Sequence, residues 1–218
     1  MTRKEMFEHI GEWSSFVRRH NANIFDVMFK DIDYSLTDKE LNDIIIDVAL
    51  FFDLEIPIIN KHCDTLTEVH FGSNGKNSEL YYNLQMMRNN GINNKDAFTL
   101  CIVHELAHLY LKKNNFMLCR NELWCHELAA DYIVGIYSVL NNIATGKYKY
   151  VVSQMPMAIT HPDGKHRAAV VEYARQSTSK YLWRNVHSSL VGLPAFIYER
   201  QRTLNDEFAQ CIKNIQKK

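Results

Sequence analysis

The stretch Asn93-Asn94-Lys95-Asp96-Ala97-Phe98-Thr99-Leu100-Cys101-Ile102-Val103-His104-Glu105-Leu106-Ala107-His108-Leu109-Tyr110 decides how the rest of the chain is read. After Asn93-Asn94, the residues Ala97, Phe98, Leu100, Cys101, Val103, Leu106, Ala107, Leu109 and Tyr110 give a strongly apolar helix. Inside it, His104-Glu105-Leu106-Ala107-His108 has the pattern H-E-x-x-H. Residues four apart share one face of a helix, so His104 and His108 can direct two imidazole nitrogens at one cation. Glu105 sits about 100° further round, beside that cation but outside its shell. A five-residue pattern arises by chance. Two imidazoles and a carboxylate in an apolar helix are nevertheless costly to bury without a task. A lone histidine there reads as a satisfied core residue, whereas this pair reads as ligands.

The next helical run carries Glu127-Leu128-Ala129-Ala130-Asp131. A short connection makes the two helices antiparallel neighbours. Glu127 then completes a His2Glu shell with the fourth position open to water, the arrangement of peptidase-type catalytic zinc. Asp131, one turn on, suits an acceptor for the N–H of a ligand imidazole. Alone, Glu127 would read as a carboxylate near a helix N-terminus facing solvent.

H-E-L-A-H followed by E-L-A-A-D resembles the gluzincin branch of zinc metallopeptidases, which share a thermolysin-like core. The later Thr160-His161-Pro162-x-x-x-x-Arg167 is similar to a stretch of M48-like peptidases and of phage-exclusion peptidases of the Lit type. The resemblance spans about residues 65–175. It implies Zn2+ as cofactor, His104, His108 and Glu127 as ligands, and Glu105 as the base. It also implies an edge strand that pairs with extended substrate, for which Glu79–Leu84 is the candidate. A donor to the oxyanion is implied as well. His161 and Arg167 are candidates, with His166 and Tyr132 behind them. The competing roles are loop-shaping for His161, and for Arg167 a pairing with Asp131 or Glu127. The implied activity is an endopeptidase acting on an intracellular protein, in phage defence or a related regulatory role. The alternative is a zincin fold that binds or regulates without hydrolysing. The short H-E-x-x-H to Glu127 separation departs from the M48 pattern.

Outward from this centre, Thr37 and Glu40 form a capping-box signature ahead of Leu41, Ile44, Ile45 and Val48, a helix to about Phe52. Ile56–Ile59, Thr67–Phe71 and Glu79–Leu84 are short and β-prone, with turn clusters such as Gly72-Ser73-Asn74-Gly75 between them; they predict a small antiparallel sheet. Further helices are expected at 5–19, about 122–140, about 163–176 and 194–215, the last with Pro194 in its first turn. The fold class is thus α+β and mostly helical: a thermolysin-like zincin core over 56–178, with helical regions at 1–55 and 179–218.

Lys plus Arg number 25, as do Asp plus Glu, so no field of one sign is available for nucleic acid. The clusters Arg18-Arg19-His20 and Lys112-Lys113 read as solvated helix faces. No secretory signal and no run of about 18 apolar residues is found, which argues against a membrane. Cys63, Cys101, Cys119, Cys125 and Cys211 are odd in number and scattered, fitting reduced thiols in a cytoplasmic protein. The expected partners are a protein or peptide substrate and a regulatory protein that restrains the activity.

Overall fold

Thr37 and Glu40 start the first helix as the capping box requires. Thr37 N–H donates to the Glu40 carboxylate at 2.9 Å, and Glu40 N–H donates to Thr37 Oγ1 at 3.3 Å. This helix, α1 (Asp38–Phe51), buries Leu41, Ile44, Ile45 and Val48. The computed structural model describes residues 36–61, 64–71, 78–114, 123–158, 161–184 and 193–216. The expected helix at 5–19, the cluster at 72–75, Thr160, Cys63 and Cys119 lie outside them.

Three strands follow: β1 (Ile58–Asn60), β2 (Thr67–His70) and β3 (Glu79–Tyr82). The expected all-antiparallel sheet is corrected to a mixed one in the order β1-β3-β2. β1 runs parallel to β3 and β2 antiparallel to it. Burial explains the order. Leu80 and Tyr82 of β3 are buried and take the centre, and Ile59 and Val69 flank Leu80 from the two sides. Glu79–Leu84 is therefore not an edge strand. It also stops at Tyr82, because Asn83 Oδ1 accepts Met86 N–H at 3.0 Å and caps a short helix, α2 (Leu84–Asn89).

The remaining described elements are α3 (Lys95–Asn114), α4 (Leu123–Leu140), α5 (Gly146–Ser153), α6 (Gly164–Arg184) and α7 (Leu193–Gln216). Asn94 Oδ1 accepts Ala97 N–H at 2.8 Å at the start of α3. The helix is buried on most of its circumference, from Ala97 to Leu111. It packs between α1, β2, α4 and α5. Phe52 follows α1 and meets the rings of Tyr110 and Tyr137 at 5.3 and 6.2 Å, joining α1 to α3 and α4.

Among the described helices, α4 and α6 pack against each other most extensively. A Cβ on Gly135 would lie 2.5 Å from the Val171 carbonyl oxygen and 2.6 Å from Ala174 Cβ, so only glycine allows this approach. α6 runs unbroken to Arg184, past the expected end near 176. α7 docks on α6 and α4. Its Glu207 accepts from Ser177 Oγ at 2.5 Å and from Tyr132 O–H at 3.3 Å, and pairs with buried Arg200. Cys101, Cys125 and Cys211 are buried thiols on α3, α4 and α7. The described residues fall within one compact unit, Tyr34–Lys218. None of their helices is long and apolar enough to cross a membrane.

Candidate metal centre

Helical spacing stacks His104 and His108 on one face of α3, and the rings meet edge to face with centroids 4.8 Å apart. α4 lies alongside and brings Glu127 to the same place. His104 Nε2 is 3.2 Å from Glu127 Oε2, His108 Nε2 is 3.5 Å from Glu127 Oε1, and the two Nε2 atoms are 3.3 Å apart. One ligand atom from each of the three residues falls in a group closed within 4.8 Å. Tetrahedral zinc with bonds of about 2.0–2.1 Å separates its ligand atoms by about 3.3 Å. The observed separations are of that size, though they reach Glu127 through two different oxygens, and the group can hold a metal ion.

Which nitrogen of His104 faces the group is set from behind. His104 Nδ1 stands 3.0 Å from Asp131 Oδ1 and is hydrogen-bonded to it, which leaves Nε2 for the centre. Asp131 is wholly buried. It is gripped by Arg167, whose Nε donates to Oδ2 at 2.8 Å and whose Nη2 donates to Oδ1 at 3.1 Å. Tyr148 O–H adds a further bond to Oδ1 at 3.1 Å. Arg167 Nη2 also lies 3.2 and 3.5 Å from the two ring nitrogens of His104. An approach in the ring plane at both distances would drive it into Cε1, so it sits over the ring face.

The ionisations follow from this packing. Burial alone would lower His104, but the Asp131 charge and the bonds to Asp131 and Glu127 raise it to about 10. Burial and the neighbouring His104 push His108 down to about 4. Burial opposes the Glu127 charge, yet the His104 bond and the two imidazoles bring it down to about 2. Asp131 is likewise held far below the carboxylate range by Arg167 and His104, against burial. Glu105, buried beside the trio, is pushed up to about 7 chiefly by desolvation.

The structure brings His104, His108, Glu127, Asp131 and Arg167 together. His161 stands at the rim, with Nε2 3.4 Å from Glu127 Oε2 and its side chain 47% exposed. Arg167 is committed to Asp131, so the pairing role weighed for it is the one observed. His166 is exposed on α6, and the Tyr132 hydroxyl donates to Glu207 instead. Tyr148 was not foreseen. Its helix follows Thr145, whose side chain makes no capping bond. The edge strand beside α3 is β2, not β3. In comparisons with known proteins, the chain matches no family model, no curated protein and no solved structure.

Proposed function

We propose that this chain is a zinc-dependent peptidase that hydrolyses peptide bonds of a protein substrate. The observation that carries the reading is the convergence of His104 Nε2, His108 Nε2 and the two Glu127 carboxylate oxygens, at 3.2–3.5 Å from one another across the three residues, with buried Glu105 next to His104 in the chain. Two imidazoles and one carboxylate form the donor set of catalytic zinc, while calcium and magnesium favour all-oxygen shells. His104, His108 and Glu127 would hold a zinc ion, which would supply Lewis acidity towards a carbonyl and towards water, whose pKa it would bring to ~7.

The chain's own residues supply the rest. Glu105 takes a proton from the attacking water and returns it to the leaving amine. Asp131, fixed by Arg167 and Tyr148, holds the His104 ring in one tautomer and orientation. His161, at the rim, offers an N–H to the oxyanion that forms on the substrate. The outer edge of β2 offers backbone groups to an extended substrate segment.

Glu105→Gln tests this reading. The variant is expected to keep its zinc and to lose cleavage. Cells producing wild type should contain a new protein N-terminus that is missing with the variant. Full activity in Glu105→Gln would remove Glu105 from the role. A wild type that holds zinc but generates no new N-terminus would make the chain a zinc-binding regulator instead.

A further inference from the structure

Lys112 and Lys113, near the end of α3, take different partners. Lys113 Nζ donates to the Asp53 carbonyl at 2.6 Å and lies 3.7 Å from the Asp53 carboxylate. Lys112 makes no ion pair among the described residues. Its Nζ stands 3.8 Å from the centre of the Phe71 ring, and both side chains are exposed. Lys112 follows Glu105 by seven residues and His108 by four, so it continues the face of α3 that carries them. Phe71 directly follows the edge strand β2. The contact between the two therefore sets the end of β2 one helical turn beyond His108.

The start of the strand carries the opposite charge. Three residues of strand span about 10 Å, and seven of helix about 10.5 Å. With Phe71 beside Lys112, Glu68 comes level with Glu105 where β2 and α3 run the same way. Behind burial and nearer charges, the Glu68 carboxylate is among the groups that act on Glu105, in keeping with that alignment. Strand register sets Glu68 opposite Tyr81 and His70 opposite Glu79, on the sheet face turned away from Leu80 and Tyr82. Glu79 is bonded by the Tyr81 hydroxyl. The His70 ring lies 4.7 Å from that of Tyr81, with Nε2 3.4 Å from Glu68 Oε1. Glu68 remains partly exposed. The edge of β2 thus carries a carboxylate at one end and an ammonium at the other. Facing residues on paired strands have Cβ atoms about 4.5–5.5 Å apart, where opposite charges attract and like charges repel.

We propose that this edge selects its substrate by charge: a basic side chain pairs with Glu68, and an acidic one, about three residues away along the extended segment, pairs with Lys112. The assignment rests on the peptidase reading and names its substrate class, an extended protein segment that carries both charges. A segment with the two charges exchanged meets a like charge at each end and is rejected. The Phe71 ring keeps the Lys112 ammonium at the strand end, and the aliphatic stem needs no other support.

The test uses the full chain loaded with Zn2+ and a library of extended peptides in which Lys, Glu and Gln are exchanged position by position. Wild type should cut peptides that place a basic and an acidic residue in the matching order roughly tenfold better, as kcat/KM, than peptides with the two exchanged. High salt should shrink that preference in wild type itself. Glu68→Gln should flatten the basic preference alone, and Lys112→Met the acidic one alone. Neither side chain is buried, so both variants are expected to fold, and unchanged zinc content checks the centre. A wild type that cuts the library without regard to charge would overturn the charge selection and leave the peptidase reading intact. Preferences that persist in both variants would overturn it likewise. A wild type that holds zinc and cuts nothing would overturn both readings.

Discussion

Asp131 carries one of the sharpest energetic demands in the molecule. Its buried carboxylate is compensated by Arg167, His104 and Tyr148. Removing one partner of a buried pair strands the other charge and costs about 3–5 kcal/mol. Arg167→Ala should therefore lower stability by that order in urea denaturation; a loss below about 1 kcal/mol would show the pair to be dispensable. Glu127→Ala should leave metal content well below that of wild type, measured by elemental analysis after dialysis. An unchanged stoichiometry would exclude Glu127 as a ligand. His104, Glu105 and His108 were legible because helical periodicity alone puts them on adjoining faces. Glu127 and Asp131 needed only one more assumption, that two helices lie side by side. Tyr148 was illegible because its bond to Asp131 joins residues 17 apart on different helices, a relation no periodicity encodes.

Among the elements, the helices were easier to read than the sheet. α1 carried a capping box and α3 a dense apolar run, and both formed close to where expected. The strands are three or four residues long, too short for alternation to fix which neighbour each one takes. Their order is set by the burial of Leu80 and Tyr82 in the assembled core, a tertiary fact. Helix packing gives a direct prediction. Gly135→Ala forces α4 and α6 apart and should destabilise by about 1–3 kcal/mol or more, read as a lower Tm. An unchanged Tm would mean that the two helices have room to spare. The pair Lys149–Glu172, at 2.6 Å, links α5 to α6. Burial opposes the Glu172 charge, but the bond to Lys149 and its charge hold Glu172 below its ordinary 4.5. A depressed carboxylate contributes stability above its unfolded value and loses it as pH falls through the folded one. Glu172→Gln should cost about 0.2–1 kcal/mol near pH 7, since the pair is partly exposed. The cost should shrink as pH falls through the depressed pKa of Glu172, and a cost that does not change with pH would exclude the ion pair as its source.

For the whole molecule, a cation held by His104, His108 and Glu127 would bridge α3 and α4 and link metal binding to folding. Free metal at 100 times its dissociation constant adds about 2.7 kcal/mol of stability. Chelator should therefore lower Tm by several degrees in wild type and by nothing in His104→Ala. A wild type indifferent to chelator would count against the metal site.

The three thiols sunk into α3, α4 and α7 give the molecule internal clocks. Burial drives the thiol of Cys101 far above its usual range and that of Cys211 up to about 12, so an alkylating reagent finds neither access nor thiolate. Each labels only when its own helix opens. Peptide-resolved alkylation thus times three openings in one tube. Added zinc should slow the clocks at Cys101 and Cys125, on the two bridged helices, more than the one at Cys211.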